Sequence, residues 1–137
     1  MNKKLNIACS KANLATIRDF VGRHLLEQEL SDLEVHKIVL AVDEVCANLI
    51  IHSNNCNPTH QIEIMVNLVP HDQIIFVIKD QGISFNPAVY AEPSMDEIIS
   101  SRRKGGVGLM LVKRIMDKIE FTTEKNYNIC TLTKKLD

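Results

Sequence analysis

No charge of either sign dominates this chain: 16 Lys and Arg face 17 Asp and Glu, for a formal net charge of -1. That balance gives no electrostatic reason for nucleic acid or an anionic membrane as the main partner. Only Arg102-Arg103-Lys104 forms a short basic cluster. Among the four cysteines, Cys9, Cys46, Cys56 and Cys130, there is no C-x-x-C pair, and the histidines make no H-E-x-x-H. Zinc-ribbon and metalloprotease chemistry are therefore without their ligand spacing, and His52 with Cys56 supplies two ligands where zinc needs four. Long apolar runs are missing too, as is an apolar segment behind the basic Met1–Asn6 start, so no membrane span or leader is expected and the cytoplasm is the natural location. Repeats and low-complexity tracts are also lacking. A length of 137 residues fits one domain, 1–137, with a real core.

What is present is a regular alternation of helix and strand signals. Leu5–Ala8 reads as a short strand, and Ser10 caps a helix whose apolar positions Leu14, Ile17, Val21, Leu25 and Leu26 recur at helical spacing. Ser31 or Asp32 caps a second helix running to about His52, where Asn54-Asn55-Cys56-Asn57-Pro58 ends it. Gln61–Val69 and Gln73–Lys79 form a hairpin around Pro70-His71-Asp72, and Asp80-Gln81-Gly82 breaks the second strand. The stretch from Phe85 to Lys104 reads as a mobile loop with a short helix around Met95–Ser101. A glycine-started helix follows, then strands Ile119–Thr123 and Asn128–Leu136 joined by a turn at Glu124–Tyr127.

Three places can carry chemistry. The second helix is apolar nearly all round, from Ile38 to Ile51, yet Glu44 and Asn48 stand four apart on one side with His52 a turn further along. A buried carboxylate without a partner is costly, so this stripe lines a polar cavity, meets a partner, or reaches water. Asp80 follows the apolar Ile74–Ile78 run, where it can accept from an exocyclic amine or simply form an Asp-x-Gly turn with Gly82. Gly105-Gly106-Val107-Gly108 opens directly onto Leu109-Met110-Leu111. Free N–H groups at a helix start, without Cβ atoms in the way, suit a phosphate; close helix packing uses the same glycines.

Taken in order, these segments resemble the N, G1 and G2 boxes of the GHKL ATPase superfamily: Asp43–His52, Asp80–Pro87 and Gly105–Leu109. The short lid, Phe85-Asn86-Pro87 and Met116-Asp117 look most like the small bacterial anti-sigma-factor serine/threonine kinases, over about residues 5 to 136. The resemblance implies an α+β fold, a two-layer α/β sandwich of the Bergerat type, with a mixed, mainly antiparallel sheet covered on one face by helices. It implies ATP or ADP with Mg2+, with Asn48 as the metal ligand, Asp80 reading the adenine amine and Gly82 shaping the adenine pocket. Gly105, Gly106, Val107, Gly108 and Leu109 then hold the phosphates, and Glu44 is the general base. One of Arg102, Arg103 and Lys104 is a candidate for the γ-phosphate, and Ser84 stands where many relatives have a second glycine in G1. The implied partners are a STAS-domain anti-sigma-factor antagonist, which would be phosphorylated on serine, a sigma factor, and a second copy in a homodimer. The alternative is a non-catalytic switch whose protein binding is set by nucleotide, with a nucleotide-independent scaffold more remote.

Overall fold

A computed structural model describes residues 2–54, 56–81, 104–124 and 127–136, without the side chains of Asn2, His52, Ser53 and 104–109. The elements run β1 (Asn2–Ala8), α1 (Leu14–Leu26), α2 (Asp32–Asn48), β2 (Gln61–Val69), β3 (Gln73–Asp80), α3 (Lys104–Ile115), β4 (Lys118–Glu124) and β5 (Tyr127–Lys135). Gly82, Ser84, the Phe85–Arg103 stretch with its expected helix at Met95–Ser101, and the Lys125-Asn126 turn lie outside the described residues.

The five strands form one sheet in the order β1-β2-β3-β5-β4. Each described pairing is antiparallel, so the parallel component expected of a mixed sheet is not among them. Hairpins account for two of these pairings, and β5 returns from the edge strand β4 to lie beside β3.

Side chains alternate across a strand, and the register carries that alternation from one strand to the next. One row on the inner face runs Leu5, Ile64, Ile78, Cys130 and Phe121, and the next runs Ile7, Ile62, Asp80, Asn128 and Thr123. The inner face is apolar through its middle, with Lys3 and Lys134 toward its far end, and in its last row Asp80 and Asn128 sit side by side, both buried. Asp80 does not break β3 as its sequence suggests; it is the strand's final paired residue, in step with Ile74, Phe76 and Ile78.

Helices cover this face. Ser31 caps α2, its hydroxyl accepting the Glu34 N–H at 3.1 Å, and Ser10 caps a short 3-10 turn that leads into α1. From α1, Ile17, Phe20, Val21 and Leu25 enter the core with Ile38, Val42 and Val45 of α2. The expected stripes are narrower than the apolar residues suggest. Leu26 is 67% exposed, and on α2 Leu33 and Leu40 share an open face at 63% and 41%. Helical geometry explains this, because a helix packed on one side cannot bury an apolar residue at every angle.

Two further departures bear on the site. After Asn48 the helix widens into a π-helical turn, Leu49–Ser53. The glycines do not precede α3 but lie within its first turns, since the helix begins at Lys104. Glycine adopts right-handed helical backbone as readily as any turn conformation, so the helix extends back over them. Asp117 anchors the end of α3 to β5, its N–H donating to the Thr133 carbonyl at 2.9 Å and its Oδ2 accepting the Lys135 N–H at 2.6 Å.

Candidate functional site

Where the inner face turns polar, the C-terminal end of α2 meets the end of β3. A cavity of about 130 Å³ lies there, lined by Leu49, Asp80, Phe121, Thr122, Thr123, Asn128, Ile129 and Cys130. That is roughly ten times what one water needs. Its walls are mainly apolar, with hydroxyls, an amide and one buried carboxylate among them, a lining suited to a flat heteroaromatic ring that offers a donor.

Asp80 is only 1% exposed. The π turn sets its surroundings, because it delivers Asn54 to the spot where Nδ2 donates both to the Leu49 carbonyl at 2.7 Å and to Asp80 Oδ2 at 2.9 Å. Backbone bonds fix the turn, Asn54 N–H to Leu49 O at 3.0 Å and Cys56 N–H to Ile50 O at 2.8 Å, with Cys56 at a φ of 54°. The charge of Asp80 reaches across the core. Burial pushes the Cys130 thiol up to about 12 and the Cys9 thiol to about 11, and in both the Asp80 carboxylate adds to the rise. All four thiols are free.

Asn48 is buried at the last turn of α2, and its carboxamide makes no capping bond to the turn that follows. An amide oxygen at that place suits a hard cation that keeps most of its waters. Glu44 lies one turn back on the same side, half-buried. Burial raises its pKa first and the neighbouring Asp43 charge second. Asp43 is itself held by Arg18 of α1, Nη1 to Oδ1 at 3.1 Å.

The structure therefore brings Asp80 to the cavity beside Leu49, and puts Asn48 and Glu44 on the helix that ends there. The backbone of Gly105, Gly106, Val107, Gly108 and Leu109 forms the start of α3, which packs against α2. Gly82, Arg102 and Arg103 lie outside the described residues, as do the side chains of His52 and Lys104. Asn54, His60 and Asn128 escaped the sequence reading. Counting back by two from Leu132 and Cys130 places Asn128 inward; nothing local marks Asn54, which reads as a helix terminator.

An ATPase-type α+β domain is the class that this sheet, its helical layer and the end-of-sheet cavity define. Residues 7–134 match the histidine kinase-like ATPase domain, and the chain belongs to that family. It is 26% identical over 132 residues to the anti-sigma F factor of Clostridium perfringens, covering 96% of this chain and 94% of that protein. It is 28% identical over 108 residues to the serine-protein kinase RsbW of Halalkalibacterium halodurans, covering 75% of this chain but only 64% of that protein. Among solved structures, the RsbU and RsbW domains of Rv1364c from Mycobacterium tuberculosis superpose with a TM-score of 0.71 at 14% identity, over 99% of this chain and 32% of that one. The last likeness bears on fold alone. Among the described residues, no helix is long and apolar enough to cross a membrane.

Proposed function

We propose that the protein is an ATP-dependent serine protein kinase and anti-sigma regulatory factor. It phosphorylates a STAS-type anti-sigma-factor antagonist and binds a sigma factor, as a homodimer in the cytoplasm. The observation that carries the catalytic part is Glu44, a half-buried carboxylate of raised pKa placed one turn before Asn48 on the helix that ends at the cavity. The names of the relatives, serine-protein kinase and anti-sigma F factor, support the same reading.

In this reading Asp80 accepts the adenine 6-amine, with Gly82 beside the ring. Leu49, Phe121 and Ile129 exclude water from it. Gly105, Gly106, Val107, Gly108 and Leu109 form the first turns of α3, whose leading N–H groups lack partners within the helix and serve the phosphates, where the helix dipole favours negative charge. Asn48 holds Mg2+, which supplies charge neutralisation at the phosphates. Glu44 orients the acceptor serine hydroxyl. As the serine oxygen bonds to the γ-phosphorus, its proton passes to Glu44, the bond between that phosphorus and the β–γ bridging oxygen breaks, and ADP leaves. Phosphate on the antagonist adds charge at its interface and weakens its binding. Exposed Leu26 and Leu33, on either side of the α1–α2 turn, are apolar area that a second copy can cover.

Incubation with Mg-ATP and the antagonist is expected to give phosphoserine, and Glu44→Gln to slow the transfer by about 10²- to 10⁴-fold while nucleotide still binds. No transfer by folded, nucleotide-bound protein overturns the kinase assignment. It leaves the second reading, a switch in which nucleotide alone sets sigma-factor binding, which the name anti-sigma F factor favours for the relative covered almost end to end.

A further inference from the structure

Behind Asp80 lies a buried relay that the family boxes do not include. Asn54 is 1% exposed and uses three of the four hydrogen-bonding positions of its amide. Nδ2 serves the Leu49 carbonyl and Asp80 Oδ2, and Oδ1 meets His60 Nδ1 at 3.1 Å. The chemistry fixes the orientation of this amide. A peptide carbonyl and a carboxylate both only accept, so the side facing them must be the NH2, and Oδ1 is left to take the His60 N–H. A flip puts oxygen against two acceptors. The amide therefore has one setting, and His60 stands behind it as a half-buried brace that the His60 carbonyl ties to β1 through the Cys9 N–H at 3.0 Å.

We infer that Asn54, braced by His60, is a positioning residue that locks the Asp80 carboxylate plane for reading a 6-amino purine against a 6-oxo purine. The inference rests on the nucleotide reading above. A carboxylate at the end of a strand can turn about its Cβ–Cγ bond, and a turned carboxylate presents its acceptor sites in a different plane. Asn54 blocks that turn by holding Oδ2 while being held itself by the π turn at Leu49. Fixed in this way, the carboxylate accepts from an adenine amine and repels the oxygen that hypoxanthine carries at the same position. Discrimination of this kind comes from buried polar groups with one allowed partner geometry.

The test is calorimetric titration of the full chain with Mg-ATP and with Mg-ITP, the inosine analogue. Wild type is expected to favour ATP. Asn54→Leu, close in size but unable to donate, is expected to weaken ATP by about tenfold or more, the value of a hydrogen bond to a charged group. ITP binding changes less, so the ATP-to-ITP preference collapses. His60→Phe removes the brace at a half-buried position and moves the preference the same way by a smaller factor; it carries the test should Asn54→Leu not fold. Equal weakening of both nucleotides, or an unchanged preference, makes Asn54 a fold-supporting residue only and overturns the inference while the nucleotide reading stands. Wild type binding neither nucleotide sinks the nucleotide reading and this inference together.

Discussion

Glu44 and Asp43 are neighbours in sequence with different surroundings. Glu44 has its pKa raised by burial and then by the Asp43 charge, whereas Asp43 is paired with Arg18 at 3.1 Å. A base raised toward neutrality takes a proton more effectively at physiological pH than an ordinary carboxylate does. Asp43→Asn removes the negative neighbour and leaves the Arg18 charge uncancelled. Both changes favour ionised Glu44, so its pKa falls. Because the base works in its ionised form, the acid limb of the pH profile for phosphoryl transfer should move to lower pH. The Arg18–Asp43 pair is partly exposed, and its loss should cost no more than about 1 kcal/mol of stability. A limb that stays in place or moves upward in the measured profile removes Glu44 from the role of base.

The elements divide by how local their causes are. At the start of α3, Gly105, Gly106 and Gly108 occupy helical positions where each costs about 1 kcal/mol relative to alanine. Gly106→Ala should therefore stabilise the nucleotide-free protein by up to about 1 kcal/mol, read as a rise in melting temperature. If the α3 start holds phosphate as proposed, the added methyl crowds its approach to the N–H groups, and Mg-ATP affinity should fall by about tenfold or more, the loss of one charge-assisted hydrogen bond. Higher stability with unchanged affinity means that the glycines serve packing alone. Local signals were readable in advance: the Ser31 cap, strand β2 from Gln61 to Val69, and the Pro70–Asp72 turn fall where hydroxyl capping and alternation put them. The π turn at Leu49–Ser53 was hidden, because an apolar run through Ile51 looks the same whether the helix is wound regularly or carries an extra residue. Asn54 was hidden for a stronger reason: its partner Asp80 is 26 residues away, and only the packing of α2 on the sheet joins them.

At the scale of the molecule, the sheet register decides where a ligand can sit. The row from Leu5 to Phe121 is apolar, and the row from Ile7 to Thr123 ends the inner face with Asp80 and Asn128, so the polar site lies at the rim of the core rather than inside it. Length pointed to a single domain and the resemblance of the three boxes to an α+β fold, but the rim position follows from strand parity combined with the α2 terminus. A ligand there joins helix, π turn and sheet, and bound nucleotide should stabilise them as one unit. At a hundredfold excess over Kd the gain is about 2.7 kcal/mol, which for a chain of this size raises the melting temperature by about 6–12 °C. Asp80→Asn keeps the size and an acceptor for Asn54 but offers NH2 where the adenine amine needs an acceptor, so this variant should fold and lose most of the rise. An unmoved wild-type melting temperature under saturating Mg-ATP and Mg-ADP means that the rim cavity is not a nucleotide site. A full rise in Asp80→Asn means that the base is read by another group.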